Sequence, residues 1–209
     1  MFCSQSYLQI KQEIKESQKD INLIAVSKMT STEQILLAIG QGQLCFGENR
    51  VADACEKFIP LKLSYPSLRL HLIGHLQKNK VKQAVEVFDV IETVDSLELA
   101  SMLYKEELKQ GRALKYFAQV NIGGEAQKTG LNPKELKSFL QNSPIKISGL
   151  MCIPPVSDNT AFYFLLLNKL AKDNGLSEVS MGMSADYKLA MELGATNIRL
   201  GSVIFKSNI

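Results

Sequence analysis

Cysteine and histidine are scarce in this sequence of 209 residues, and their spacing argues against two kinds of site. The four cysteines lie far apart without a C-x-x-C pair, so we interpret them as reduced thiols. The two histidines, His71 and His75, have the spacing of a zinc pair on a helix, but the surrounding LRLHLIG is typical of a strand. We therefore expect neither a disulfide nor a metal site.

Long apolar runs and blocks of like charge are also missing. The longest strongly apolar run, 161–167, is far shorter than the roughly 20 residues that cross a bilayer. The net charge of +3 comes from dispersed lysines and arginines, whereas nucleic-acid and membrane partners select clustered charge. The N-terminus lacks the basic-then-apolar order of a signal peptide. We expect a cytoplasmic protein that binds neither nucleic acid nor membrane.

The sequence does contain a regular alternation of short apolar runs with longer amphipathic ones. Eight apolar runs are nearly continuous in apolar character, as parallel strands covered on both faces are. They span residues 22–27, 44–47, 68–74, 90–94, 116–122, 146–153, 179–183 and 197–205. An open doubly wound sheet and a closed barrel both fit this alternation, and the count of eight favours the barrel.

Helical patterns separate many of these runs. Ser96 caps one pattern and Gly111 stops it, whereas Asn132 and Pro133 begin another. The remaining patterns cover about residues 5–18, 30–42, 161–170 and 185–195. We predict a single α/β domain over residues 1–209, a (β/α)8 TIM barrel with an extra N-terminal helix that caps or flanks it.

The working face of such a barrel is the carboxyl end of its strands, and Lys28 follows the first of them. Counting by twos, Lys28 lies on the same strand face as Ile24 and Val26. A lysine there either extends into solvent or ends near a cavity at the barrel mouth, and position alone does not decide. In the second case its amine can attack an aldehyde and form a Schiff base. Further candidates at this face are Glu48, Asn49, His75, Gln77, Asp95, the loop 123–128, Met151, residues 180–184, Gly201 and Ser202.

Two late segments favour an anion site, because loops after strands 7 and 8 recurrently bind phosphate in barrels. Ser184 is expected to cap a helix whose first N–H groups face an anion, although Asp186 in the same turn would repel a phosphate if it pointed inward. Gly201 lets a ligand approach the backbone, and Ser202 offers a hydroxyl and an N–H. Either segment alone fits an ordinary capped helix or tight turn equally well.

Several motifs then occur together in a specific order: AVSK at 25–28, FGEN at 46–49, IGHLQKNK at 73–80, SMGMS at 180–184 and IRLGS at 198–202. In this combination the chain resembles the YggS/PROSC family of pyridoxal-phosphate homeostasis proteins, related to the N-terminal domain of alanine racemase. The resemblance covers nearly the whole chain. It implies a bound pyridoxal 5'-phosphate, held as a Schiff base by Lys28.

The same resemblance assigns the remaining site residues. Arg199 would face the pyridine nitrogen, and its permanent charge would keep that nitrogen unprotonated, which makes the ring a poor electron sink. The residues assigned to the cofactor are Lys28, Asn49, Met183, Ser184, Arg199, Gly201 and Ser202. Lys128 matches a second family lysine, with a solvated loop lysine as the alternative, and His75 either approaches the ring or supports a turn.

The chain departs from the family pattern at several positions. Ser202 replaces the usual threonine and keeps its hydroxyl, whereas Arg50 stands where tyrosine commonly follows FGEN and could alter the entrance. Gly123 and Gly124 make the loop after strand 5 more flexible. The segment between strands 6 and 7 is short, so the helix from Ala161 is expected to be trimmed or repositioned.

Three functions remain open at this point. The hypothesis that we prefer is a monomeric, non-catalytic protein that stores or transfers the cofactor, with pyridoxal-phosphate-dependent apo-enzymes as candidate recipients. The alternative is an amino-acid racemase or similar enzyme, but related racemases use a second domain and a tyrosine base, for which we expect no room after strand 8. A phosphosugar isomerase would share the phosphate site, but Glu48 and Asp95, on different strands, make a doubtful acid–base pair.

Overall fold

Eight parallel strands close into a barrel in this protein, described by a computed structural model over residues 1–155 and 159–205. Each strand pairs in parallel with the next, and β8 pairs with β1 through the register of Ile24 with Arg199. The strands are β1 Asn22–Val26, β2 Cys45–Glu48, β3 Arg69–Leu72, β4 Val90–Val94, β5 Lys115–Gln119, β6 Ile147–Met151, β7 Glu178–Ser180 and β8 Asn197–Leu200. The predicted barrel is confirmed. Residues 156–158 and 206–209, included in the predicted domain, lie outside the described residues.

Helices surround this barrel in the order expected of a (β/α)8 fold. They are α1 Ser4–Glu16, α2 Thr32–Gly40, α3 Val51–Ser64, α4 Val81–Val87, α5 Leu97–Gln110, α6 Leu136–Asn142, α7 Thr160–Asp173 and α8 Tyr187–Glu192. One helix follows each of the first seven strands, and a short 3-10 turn, Lys78–Lys80, leads into α4.

The predicted N-terminal helix α1 completes this ring of helices. The Tyr187 hydroxyl on α8 donates to Glu13 Oε2 at 2.8 Å, and the Phe2 N–H donates to Gln34 Oε1 on α2. Phe2 also forms an antiparallel bridge with Phe205 after β8. The helix α1 therefore lies between α8 and α2, where the helix after β8 would stand in a regular barrel.

The predicted helix boundaries are confirmed in one case and wrong in others. Ser96 Oγ accepts a hydrogen bond from the Leu99 N–H, and Gly111 ends α5 in the left-handed conformation with φ +63°. Asn132 does not cap α6, because its Oδ1 accepts from the Lys134 N–H within a turn and α6 begins only at Leu136. The helix α7 is not trimmed, since it spans 14 residues.

Alternate residues of the strands face either the helices or the barrel interior, as the period of two requires. Leu70 and Leu72 of β3 pack into the main hydrophobic core between sheet and helices. The side chain of His71, between them, points the other way and reaches Glu92 of β4. Among the described residues no helix is long and apolar enough to span a membrane.

Candidate functional site

Lys28 lies in a turn directly after β1, with its side chain exposed at the carboxyl end of the barrel. It lines a cavity of about 530 Å³ together with Val26, Gly201 and Ser202. The next residue, Met29, has a positive φ of 62°, a conformation that is uncommon outside glycine. Lys28, Gly201 and Ser202, which the sequence places at the same end of a barrel, therefore border one cavity in the fold.

The backbone after β8 forms a single helical turn at this cavity. The Gly201 carbonyl accepts hydrogen bonds from the N–H groups of Ile204 and Phe205 at 2.9 and 2.7 Å. The N–H groups of Ser202 and Val203 are therefore the first of the turn and have no acceptor within it. Such N–H groups attract anions, so this turn can hold a phosphate close to the Lys28 amine.

The segment after β7 also forms a turn, but its contacts differ from the prediction for Ser184. The Met183 carbonyl accepts from the Asp186 and Tyr187 N–H groups, and Asp186 Oδ1 accepts from the Met183 N–H at 2.6 Å. The helix α8 begins at Tyr187 with Asp186 in the cap position, so Ser184 does not cap it. Gly182 makes the turn possible with φ +90°, because a Cβ there would lie 2.5 Å from the Ala190 Cβ.

Glu48, predicted as a candidate at the barrel mouth, instead points away from the interior. Its carboxylate is fully buried and accepts from Ser27 Oγ at 2.6 Å and from Lys57 Nζ at 2.5 Å. Lys57, on α3, also donates to the Ser27 carbonyl at 2.9 Å. These three side chains support the backbone next to Lys28 from the helix side, which leaves Glu48 no role as an acid or base in the cavity.

Arg199 lies within β8, with its guanidinium buried in the barrel interior. Nη1 donates to Ser180 Oγ at 2.6 Å, and Nη2 donates to the Cys152 carbonyl at 2.7 Å. A guanidinium has five N–H groups, so further donors remain for a ligand. The carbonyl, directly after β6, and the hydroxyl, on the neighbouring β7, hold the cation in one orientation.

Glu92 and His71 extend this polar cluster through the interior. Glu92 Oε2 accepts from Ser180 Oγ at 2.6 Å, and Glu92 Oε1 pairs with His71 Nδ1 at 2.6 Å. Burial alone would lower the pKa of His71, but Cys45 and Glu92 raise it to about 10. Burial alone would raise the pKa of Glu92, but His71, Arg199 and Ser180 hold it below its ordinary value. At neutral pH two buried cations therefore face one buried carboxylate.

The other predicted residues are placed apart from the Lys28 cavity. Met183 is 39% exposed, and the His75 side chain is exposed on the loop after β3. Burial raises the pKa of Asp95, and the charge of His75 partly offsets this effect. Lys128 Nζ lies 2.5 Å from Glu125 Oε2 and donates to the Pro154 carbonyl at 3.2 Å, so it is not simply solvated.

Lys28, Gly201 and Ser202 thus line one cavity, whereas the other four residues assigned to the cofactor do not border it. These four, Asn49, Met183, Ser184 and Arg199, lie on β8 or in the turns after β2 and β7. A larger cavity, of about 1050 Å³, opens at the opposite, amino-terminal end of the barrel and includes His71 and Cys45 in its lining. The chemistry expected of a barrel belongs to the Lys28 end.

A family model for the N-terminal domain of alanine racemase matches residues 6–208. The chain belongs to the alanine racemase N-terminal domain family. Its relatives include the human pyridoxal phosphate homeostasis protein, 38% identical over 88% of this chain and 75% of the human protein. The homologue of the same name from Pasteurella multocida is 33% identical over 93% of this chain and 89% of its own length.

Solved structures of PipY from Synechococcus elongatus are similar throughout. The structure without pyridoxal phosphate superposes with a TM-score of 0.89 at 36% identity, covering 96% of this chain and 98% of PipY. The structure with pyridoxal phosphate bound has a TM-score of 0.86. The resemblance stated from the motifs is therefore confirmed for family and fold.

The sequence analysis did not predict that polar side chains form a connected cluster inside the barrel of this member of the alanine racemase N-terminal domain family. His71, Glu92 and Ser180 are buried and connected to Arg199 through hydrogen bonds, and of these three only Ser180 was among the predicted candidates. A signal was present in the strand LRLHL, where polar and apolar residues alternate with the period of a strand that has one polar face. The sequence could not show which strands bring their polar faces together.

Asn49 follows β2, and its backbone leaves no space beside Gly74. A Cβ at Gly74 would lie 2.2 Å from the Asn49 carbonyl oxygen, so Gly74→Ala should displace the Asn49 turn and destabilise the fold by about 1–3 kcal/mol. Urea unfolding measures this, with Gly40→Ala at the end of α2 as control, since nothing lies within 4 Å of a Cβ there. Equal stability of the two variants would contradict the close packing of the turn.

Proposed function

We propose that this protein binds pyridoxal 5'-phosphate through a Schiff base on Lys28 and takes part in the homeostasis of that cofactor. The observation that carries the proposal is the joint position of the Lys28 amine and the Gly201–Ser202 turn around one cavity. Its volume of about 530 Å³ falls in the range of small-molecule sites. The names of the relatives and the pyridoxal-phosphate complex of PipY support the same ligand.

The donor set suits this cofactor at both of its ends. The amine can condense with the aldehyde, and the N–H groups of Ser202 and Val203 with the Ser202 hydroxyl can bind the phosphate. Ser184 is the candidate to add a second hydroxyl, and Asn49 and Met183 are candidates to line the ring. Arg199 would place a permanent cation toward the pyridine nitrogen, which would keep that nitrogen unprotonated.

The lining of the Lys28 cavity supports a role in storing or transferring the cofactor rather than catalysis. Among the described residues that border it, none is a tyrosine or histidine, and Glu33 is the one carboxylate. Two-base racemisation needs a second group that exchanges a proton opposite the lysine. With an unprotonated pyridine nitrogen the bound cofactor would also stabilise a carbanion poorly. Both features favour a protein that holds the cofactor.

The proposal is tested by mixing the purified protein with pyridoxal phosphate and reducing with borohydride. A visible absorption band should form, and peptide mass spectrometry should find the reduced label on Lys28. A label on Lys57 or Lys128 instead, or no label, would overturn the assignment. The unreduced complex is then offered amino acids singly, and turnover of one of them at an ordinary enzymatic rate, of order 1 per second or faster, would overturn the non-catalytic role.

A further inference from the structure

A cysteine, a histidine and a carboxylate lie side by side inside the barrel, on three successive strands. Cys45 begins β2, His71 lies within β3 and Glu92 lies within β4. The His71 Nδ1 is 2.6 Å from Glu92 Oε1, and the same imidazole also interacts with the Cys45 side chain. A nucleophile beside a histidine that a third group orients is the arrangement found in nucleophilic catalysis. Cys45 therefore has the neighbours of a reactive thiol.

The surroundings of the Cys45 sulfur favour negative charge. Asn22 Nδ2 donates a hydrogen bond to Cys45 Sγ at 3.3 Å. Burial alone would lower the pKa of His71, but Cys45 and Glu92 raise it to about 10, so the imidazole is a cation at neutral pH. Because Nδ1 is bonded to Glu92, Nε2 is the N–H that remains to face Cys45. The amide and the imidazolium both offset the charge that sulfur carries when it attacks an electrophile.

Cys45 can also be reached from outside the barrel. It is half-buried and lines the cavity of about 1050 Å³ at the amino-terminal end, which we call the amino-terminal cavity. A cavity of this size can hold a small molecule. Cys152 shows the contrast, because it is buried and burial raises the pKa of its thiol to about 12. Of these two thiols, Cys45 is the one placed to react.

The charged side chains that line the amino-terminal cavity indicate which small molecules suit it. Lys115 Nζ lies 2.7 Å from Glu178 Oε2, and Asp89 is paired with two basic side chains outside the lining. Arg69 and Asp20 form no ion pair with any part of the chain that the structure describes, so one cation and one anion remain for a ligand. Amino-acid-derived molecules carry both an ammonium and a carboxylate group and match this pair of charges.

We propose that Cys45 is a nucleophilic thiol that forms mixed disulfides with small amino-acid-derived disulfides in the amino-terminal cavity. Its sulfur attacks one sulfur of the incoming disulfide, so that a new S–S bond forms while the old one breaks. The displaced half leaves as a thiolate and takes up the proton that Cys45 has lost. One disulfide replaces another, so the reaction needs no further oxidant, and a second exchange with a free thiol restores Cys45. The inference does not depend on the proposed function, because Lys28 lies at the opposite end of the barrel.

Oxidised glutathione, added to the reduced wild-type protein at neutral pH, tests the inference. Peptide mass spectrometry follows the rate of modification at each cysteine. We expect Cys45 to react at least about tenfold faster than Cys55, the effect of one hydrogen bond to a charged group, and dithiothreitol to reverse the modification. Cys55 is an internal control, since it is also half-buried and burial and the charge of Glu86 raise the pKa of its thiol. A Cys45 that reacts no faster than Cys55 would overturn the inference.

Two variants separate the effect of the neighbours from simple access. His71→Gln removes the cation and keeps a polar side chain, so it should slow the reaction of Cys45 about tenfold and leave that of Cys55 unchanged. Asn22→Ala removes the other donor at an exposed position of β1, and it should slow Cys45 about twofold to tenfold. Circular dichroism checks that both are folded. If His71→Gln does not fold, Asn22→Ala decides, and an unchanged rate in the folded variants overturns the inference.

Ser177→Ala is the matched control, because Ser177 lines the same cavity at an exposed position before β7. It should leave the rate at Cys45 unchanged, whereas a slowing equal to that in Asn22→Ala would show that the shape of the cavity sets the rate and would overturn the inference. The uncharged 2-hydroxyethyl disulfide tests the class of ligand. With it, the preference for Cys45 over Cys55 should fall, and an equal preference for both disulfides would contradict the assignment to amino-acid-derived molecules.

Discussion

Lys28→Ala is expected to lose the visible absorption band and the borohydride-stable label completely, while the fold stays intact. Alanine has no amine, so the covalent bond to the aldehyde cannot form. The Lys28 side chain is exposed, and replacing an exposed side chain away from packing contacts changes stability by no more than about 0.5 kcal/mol. Absorption spectra with pyridoxal phosphate and circular dichroism of the same samples measure the two effects separately.

Lys128→Ala is the control for that result, because Lys128 is the other lysine that the family pattern marks. Its Nζ lies against Glu125 and the Pro154 carbonyl, and it borders a different cavity from that of Lys28. We expect this variant to keep the label on Lys28. If the band survives in Lys28→Ala and disappears in Lys128→Ala, the Schiff base forms on Lys128, and our assignment to Lys28 is wrong.

Much of the architecture could be predicted from the sequence, because the strand and helix periods of a barrel repeat in order. All eight strand segments overlap the predicted runs, and the ends of α5 follow from Ser96 and Gly111. The helices α3 and α4 were not predicted. The helix α3 has no side-chain cap and contains Pro60, and α4 has only seven residues, so neither shows the usual signals. Both helices are stabilised by packing against the barrel, and a local sequence pattern does not indicate such packing.

The candidate site was predictable to the extent that it depends on strand ends. Lys28 and Gly201 come together because β1 and β8 are neighbours, which follows from closure of an eight-stranded barrel. The direction of Glu48 was not predictable from its place near a strand end. It is the fourth residue of β2 and alternates with Gly47, so it faces α3 and meets Lys57.

Glu92→Leu is expected to lower the free energy of unfolding of the cofactor-free protein by about 3–5 kcal/mol. Removing this carboxylate leaves the Arg199 guanidinium buried in the barrel interior without its anion, and His71 loses a partner that raises its pKa, so that burial favours the neutral imidazole. An uncompensated buried guanidinium costs more than the ion pair contributes when it is intact, because the cation has given up its hydration. Urea unfolding followed by circular dichroism at neutral pH measures the loss.

The triple variant His71→Leu, Glu92→Leu and Arg199→Met is the decisive comparison. It replaces the whole charged cluster by apolar side chains, and replacement of a complete buried ion cluster is often neutral or stabilising. We expect it to recover most of the stability lost in Glu92→Leu, while it removes Arg199, which we propose as a cofactor-site residue. If the single variant is as stable as the wild-type protein, the interior charges are not coupled. If the triple variant is less stable than the single one, the cluster stabilises the barrel by itself, and its retention needs no explanation from cofactor binding.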